Sequence, residues 1–287
     1  MVQLLEGDIR TSEVLGWEGV HLFHFHASSC SQKTRIVLNL KGVDWQPHPV
    51  DISQDENLNS RFLGINPRGL VPVLVIDGAV HIESNDIVSL LDARFPEPRL
   101  IPEGREAEMA DLLRREDDLH HDLRTISFRY THPRPREPKS ADALAEYRAG
   151  GSGTVLGAPD PNKDSEIAFW ERLAREGITD EAIRVSAGRF RRSFEDLDRK
   201  LADDPYILGE RLSIADIAWF IYVNRLVRCG YPVERLHPRL FAWFQPLRAR
   251  DEFAREVTVP PELQKAVEEN QRRQREAGKT LIDVAGL

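Results

Sequence analysis

Two cysteines in 287 residues, Cys30 and Cys229, are too few and too far apart for a disulfide framework or a zinc-binding set. No uninterrupted apolar run approaches bilayer-spanning length. The first nineteen residues carry Glu6, Asp8, Arg10 and Glu13 where an export signal has a basic block and an apolar block, so the cytoplasm is the expected compartment. A long basic stripe is also missing and the net charge is -8, which weighs against nucleic acid as a main partner. There is no internal repeat. What is present, 41% hydrophobic and 30% charged residues, is the composition of a soluble globular chain long enough for one large domain or two modest ones.

The most informative stretch runs from Gly69 to Ser84. Val73 to Ile76 and Val80 to Ile82 read as two short strands joined through Asp77-Gly78, a dipeptide suited to a tight hairpin because both residues tolerate positive φ. Pro72 has no N–H to give a ladder, so it belongs at the strand entry, where the Val71-Pro72 amide can take the cis form. Val71 would then offer its own N–H and C=O to an extended, peptide-like ligand. Glu83-Ser84 precedes Ile87, Leu90, Leu91 and Phe95 at helical spacing, which makes Ser84 a natural N-cap. The free N–H groups of that helix start favour a ligand carboxylate, and Glu83 could pair with an ammonium.

Upstream, Val20 to His26 has the aromatic content of a strand. His24 and His26 share a face at period two, but no third metal ligand is spaced nearby, and they read as structural. Ser28-Ser29-Cys30-Ser31 opens a helix that ends at Lys41-Gly42, and a second strand at 44–50 completes a βαβ unit whose strands should be parallel. A short helix is expected around 56–63 and another at 84–95. The proline-punctuated segment 97–104 is a linker. Beyond it the pattern is helical: one long amphipathic helix from Arg105 to about Tyr130, irregular chain with one short helix (140–149) in an insertion near 132–164, then 165–176 and 179–203. Ser213-Ile214-Ala215-Asp216 is a capping-box variant before an almost wholly apolar helix that should be buried. The first nineteen residues read as a polar extension, with Leu4, Leu5, Val14, Leu15 and Trp17 as contacts to the body, and the charged tail from Pro260 as a solvated or partner-covering helix.

Asn66-Pro67-Arg68-Gly69-Leu70-Val71-Pro72 followed by Glu83-Ser84 resembles the glutathione-binding signature of the cytosolic glutathione transferases. The resemblance covers residues 20 to about 255. It implies an α/β plus all-α chain: an extension at 1–19, a thioredoxin-like glutathione-binding domain at 20–96, and a helical substrate domain at 105–287 that carries the insertion. It further implies glutathione as co-substrate, with the cysteinyl backbone on Val71 and Pro72 and the γ-glutamyl end at Glu83 and Ser84. In such an enzyme the thiol pKa must be lowered by a helix N-terminus and by a hydrogen bond donated to sulfur, and the Ser28 to Ser31 turn offers both.

Ser28-Ser29-Cys30-Ser31 with Arg35 and 38–42 resembles the opening of the zeta class, which implies Ser28 as the activating hydroxyl. The stretch 178–217, with 200–205 and Ser213 to Ile217, resembles the bacterial β-etherases, whose register favours Ser31. Those enzymes cleave β-aryl ethers of lignin-derived dimers, forming a thioether and releasing a phenol. Set against the glutaredoxin-like classes, Cys30 is out of register with either thiol. Three readings follow: thiolate transfer to an aromatic electrophile with ether cleavage preferred, a zeta-type isomerase, or a non-catalytic interaction module on the same fold. The implied assembly is a dimer with itself or a paralogue. The electrophile would lie against the helix at 105–130, with His120, His121, Arg124 and Tyr130 as candidate contacts.

Overall fold

The protein is described from a computed structural model covering residues 2–131 and 138–287. Two compact units emerge: Met1–Pro98 with Pro138–Gly177, and Arg99–Glu137 with Ile178–Leu287.

The first unit is built on a five-stranded sheet in the order β1-β5-β4-β2-β3. Its strands are β1 (Val2–Gln3), β2 (Val20–His24), β3 (Gln46–Pro49), β4 (Val73–Ile76) and β5 (Ala79–Ile82), and its first helices are α1 (Ser29–Lys41), α2 (Ser60–Ile65) and α3 (Ser84–Arg94). β2 and β3 are parallel, as a βαβ unit through α1 requires, and β4 and β5 run antiparallel. The β4–β5 turn is made by Asp77 at φ 48° and Gly78 at φ 78°. A Cβ on Gly78 would stand 2.2 Å from the Leu15 carbonyl oxygen, so only glycine fits there.

The extension is part of this fold. β1 pairs with β5, Leu4 and Val14 are buried in the core with Phe23, Phe62, Val73 and Val75, and Leu15 and Trp17 pack against them. Leu5 is instead exposed. Four helical expectations shift. The helix around 56–63 is a 3-10 turn, Glu56–Leu58, followed by α2 capped by Asn59, whose side chain accepts from the Phe62 N–H. α3 has Glu83 in the cap position and Ser84 as its first residue. The long helix from 105 is divided into α4 (Glu106–Asp117) and α5 (His120–Tyr130). The charged tail is two helices docked within its own unit.

After α5 the chain contributes to the first unit again, as α6 (Ala141–Ala149), a two-residue hairpin β6 (Thr154–Val155) with β7 (Ala158–Pro159), and α7 (Asn162–Glu176). By sequence pattern alone this insertion belongs to the helical half. The hydrogen bonds explain its packing with the first unit: Tyr147 reaches the Arg68 carbonyl, Thr154 and Gly157 donate to Asp8, and Lys139 pairs with Asp55. Part of the insertion, residues 132–137, lies outside the described residues.

The second unit consists of α4, α5, α8 (Asp180–Lys200), α9 (Ile214–Arg228), α10 (Val233–Leu236), α11 (Pro238–Ala249), α12 (Asp251–Val257), α13 (Pro261–Glu276) and α14 (Leu281–Ala285). α9 is its core, buried from Ile214 to Asn224. Ser213 and Asp216 form the expected capping box, and Asp216 also accepts from the Ile207 N–H and Trp243 Nε1, both at 2.9 Å. Burial pushes the Asp216 carboxyl up, against those donors. Val267, Leu281 and Val284 bury the tail, and Gln271 and Gln274 donate to the Arg228 and Arg129 carbonyls. Among the described residues no helix is long and apolar enough to cross a membrane.

Candidate functional site

The strand register brings three separate pieces of chain to one end of the sheet. Phe23 on β2 pairs with Val73 on β4, and Leu74 pairs with His81 on β5. The end of β2, the entry to β4 and the exit from β5 are therefore neighbours, and they carry the Ser28 turn, Val71-Pro72 and Glu83-Ser84.

α1 starts here because Ser28 caps it: the Ser28 Oγ accepts from the Ser31 N–H at 3.3 Å. Ser28 is half-buried, and its hydroxyl proton remains available to donate to a ligand. Ser31 is fully buried, and its Oγ accepts from the Phe25 N–H at 3.3 Å. One serine is thus half-exposed while the other stitches the turn. Arg35 holds the same turn from below, donating to the Phe25 carbonyl at 3.2 Å, the His26 carbonyl at 3.0 Å and His24 Nδ1 at 3.1 Å. Burial, together with the Arg35 charge, lowers the His24 pKa to about 4, so its imidazole is neutral at pH 7. Cys30 is half-buried, on the first turn of α1.

The Val71-Pro72 bond is cis. Val71 is half-buried, and no hydrogen bond among the described residues engages its N–H or C=O, which leaves one main-chain edge to an extended ligand. The turn before it is fixed by side chains. Asn66 donates to the Leu70 carbonyl at 2.8 Å and accepts from the Arg68 N–H at 3.0 Å, and Asn57 donates to the Gly69 carbonyl at 2.7 Å.

At the third piece, Glu83 adopts φ 68°, a conformation that costs a non-glycine residue about 1–3 kcal/mol and needs support from its surroundings. Arg68 supplies it through an ion pair to Glu83 Oε1. The same guanidinium forms a bidentate pair with Asp160, Nε and Nη2 each at 2.8 Å, and the Asn162 amide oxygen, in the orientation that satisfies both groups, accepts from it at 2.8 Å. Burial works against the Arg68 charge, and the Asp160 and Glu83 carboxylates outweigh it, so its pKa is raised. Ser84 is 7% exposed at the start of α3. Lys33 on α1, 1% exposed, donates to Asn85 Oδ1 at 2.5 Å and joins the serine turn to this helix start.

The six residues singled out from sequence, Ser28, Ser31, Val71, Pro72, Glu83 and Ser84, therefore share one region, with Ser31 turned inward. Arg68, Asp160, Lys33 and Arg35 were not anticipated in these roles. Arg68 and Arg35 stand inside quoted motifs, whereas nothing local marks Asp160. Of the candidate electrophile contacts, Tyr130 is buried in the core of the second unit, His120 Nδ1 lies 3.1 Å from the Tyr222 hydroxyl, His121 is exposed and Arg124 half-buried. Among the described residues no group of three or more His, Cys, Asp or Glu could hold a metal ion.

Comparison with known proteins finds family models in both halves of the chain. Residues 22–99 match the family model "Glutathione S-transferase, N-terminal domain" and 172–245 match "Glutathione S-transferase, C-terminal domain", together more than half of the chain. Glutathione S-transferase 1 of Dianthus caryophyllus is 42% identical over 84 residues, 29% of this chain, and the chain spans only 38% of that protein. Tetrachloro-p-hydroquinone reductive dehalogenase of Sphingobium chlorophenolicum is 26% identical over 249 residues, 84% of this chain and 96% of that one. Among solved structures, the β-etherase LigF of Sphingobium sp. strain SYK-6 is 25% identical with a TM-score of 0.67, covering 83% of this chain and 98% of that one.

Proposed function

Because this chain belongs to the glutathione S-transferase family, we propose that it binds glutathione at the end of the sheet, activates its thiol at the start of α1, and transfers the thiolate to an aromatic electrophile. The observation that carries this is the convergence of a capped helix start with a half-exposed Ser28, an unengaged Val71 main chain and the Glu83-Ser84 turn.

Each part has a chemical task. Val71 takes the cysteinyl N–H and C=O of glutathione, Pro72 fixes the chain entry, the first N–H groups of α3 at Ser84 take the γ-glutamyl carboxylate, and Glu83 takes the ammonium. The sulfur then lies at the α1 N-terminus, where the partial positive charge and a hydrogen bond donated by the Ser28 hydroxyl favour thiolate, the thiol proton leaving to solvent. Ser28 is favoured over Ser31 because Ser28 is half-exposed whereas Ser31 is fully buried.

The preferred reaction is cleavage of a β-aryl ether of a lignin-derived dimer. The thiolate attacks the carbon bearing the aryloxy group, a C–S bond forms, and the C–O bond breaks with its electron pair leaving on the aryl oxygen. The phenolate then takes a proton from water. The likeness to the β-etherase LigF supports this choice.

The test incubates purified protein with glutathione and a β-aryl ether model dimer, with a general aryl halide in parallel, for the wild type and Ser28→Ala. Phenol release that is lost in the variant supports the whole reading. Turnover of the halide alone removes ether cleavage and leaves a transferase, and no glutathione binding removes the reading altogether. Assembly as a homodimer in the cytoplasm belongs to the same proposal, and sedimentation of the purified chain checks the dimer.

A further inference from the structure

Arg68 stands between two carboxylates that differ in exposure. Asp160, from the insertion, holds the Nε and Nη2 edge, and both side chains are about one-tenth exposed, at 11% and 10%. Glu83 takes Nη1 through Oε1, its side chain is 38% exposed, and its Oε2 makes no hydrogen bond among the described residues. The insertion also anchors the Arg68 backbone, since the Tyr147 hydroxyl on α6 donates to the Arg68 carbonyl. Lys163, a buried cation nearby, directs its ammonium to the Gly150 carbonyl at 2.6 Å and feels the Asp160 charge without a hydrogen bond to it among the described residues.

The charges around Arg68 have a consequence for any ammonium at Glu83. A guanidinium does not deprotonate in a protein. Paired with Glu83 alone, it would neutralise that carboxylate and compete with an incoming ammonium. Asp160 engages the guanidinium by its two-pronged edge and balances its charge, so Glu83 retains net negative charge and an open oxygen.

We propose that Asp160 is a positioning residue for the γ-glutamyl ammonium of glutathione, acting through Arg68 on Glu83, and that the insertion is thereby a working part of the glutathione site. This rests on the reading of glutathione binding given above.

The test is titration calorimetry with two ligands, glutathione and its des-amino analogue, in which a glutaryl group replaces γ-glutamate. The ratio of their dissociation constants reads recognition of the ammonium and is insensitive to a general loosening of the site. In the wild type glutathione should bind more tightly than the analogue. Asp160→Asn should cut that ratio by about tenfold, a difference of about 1.4 kcal/mol, with analogue binding unchanged and Asp160→Glu restoring the ratio. Because Asp160→Asn leaves a buried guanidinium less well paired, Arg68→Gln combined with Asp160→Asn is the control that removes both charges: Glu83 loses the ion pair that supports its backbone, so both ligands should bind more weakly, but no cation opposes the incoming ammonium and the wild-type ratio should return.

Equal weakening of both ligands in Asp160→Asn would reduce Asp160 to a structural residue, and an unchanged ratio, or a ratio still lost in the double variant, would also overturn the inference. If Asp160→Asn does not fold, Asp160→Ser, which also removes the charge, is read in its place and should cut the ratio likewise. A wild type that does not bind glutathione sinks this proposal together with the functional reading, whereas tight binding with no dependence on Asp160 sinks this proposal alone.

Discussion

Lys33 of α1 donates to Asn85 in the first turn of α3 at 2.5 Å with only 1% of the lysine exposed, so the two helix starts proposed to hold the sulfur and the γ-glutamyl end are tied by a buried ammonium. A buried charge contributes little net stability, because desolvation offsets its interactions, but it sets geometry. Lys33→Met should therefore leave the melting temperature near the wild-type value while weakening glutathione binding several-fold. Asn85→Ala, which removes a partner from a buried charge, should instead lower stability by about 1–3 kcal/mol. Denaturant melts beside glutathione titrations separate the two outcomes, and a Lys33→Met protein that binds glutathione normally would remove the positioning role.

Ser28, Ser31 and Cys30 of the serine turn should respond differently to truncation. Ser28→Ala should lower kcat by about 10²–10³, the cost of losing one preorganised donor to a developing or resident anion. It should also raise the pKa of bound glutathione, read from thiolate absorbance against pH, and reduce stability by about 1 kcal/mol through the lost cap. Ser31→Ala should reduce stability by a similar amount by leaving the Phe25 N–H without its acceptor, with a smaller effect on the bound thiol. Cys30→Ala should keep activity, and loss of activity there would favour thiol exchange over thiolate transfer.

Gly69→Ala should destabilise the first unit by about 2 kcal/mol or more. Gly69 has φ 62°, and an added Cβ would stand 2.9 Å from Tyr147 Cε2, 3.0 Å from Leu63 Cδ2 and 3.1 Å from the Asn57 carbonyl oxygen. Tyr147→Ala removes one of these three neighbours, so combining the two substitutions should cost less than the sum of each alone, measured as a coupling in denaturant unfolding.

Stability should fall on the acid side of neutrality in a way that depends on His24. Its folded pKa, about 4, is below the ordinary value of 6.5, because burial and the Arg35 charge disfavour the imidazolium. The unfolded chain then binds more protons between those values, so the contribution is fully present above pH 6.5 and is lost as the pH falls toward 4. Burial lowers the pKa values of His26, His48, His81 and His237 as well, so His24→Asn should make the dependence shallower without abolishing it. Melting temperatures of both proteins across that window provide the check, and parallel curves would exclude His24 as a contributor.

Much of the fold and the site is local and was legible in the residues. Asp77-Gly78 specifies a turn with two positive φ angles, the serines at 28–31 and Lys41-Gly42 bound a helix, and Ser213 with Asp216 closes a cap three residues apart. Each of these depends on contacts within a few positions, where residue type decides the backbone conformation almost alone. The boundary at Asp118–Leu119 was missed because the apolar spacing runs through it without glycine or proline.

Other features required the chain to close on itself. β1 joins β5 across some eighty positions, Asp160 meets Arg68 across 92, and the insertion packs with the first unit although helices of the second lie on either side of it in sequence. A two-residue strand and a lone Asp-Pro carry no periodic signal, so no pattern in the sequence could assign their partners. Ser28 and Ser31 are equally plausible donors on paper, three residues apart on one turn. Their separation into a half-exposed hydroxyl and a buried one comes from the direction in which β2 delivers Phe25 to the start of α1. Sequence determined which residue types stand at the candidate site; burial and long-range pairing decided which of their atoms are exposed and which are engaged within the fold.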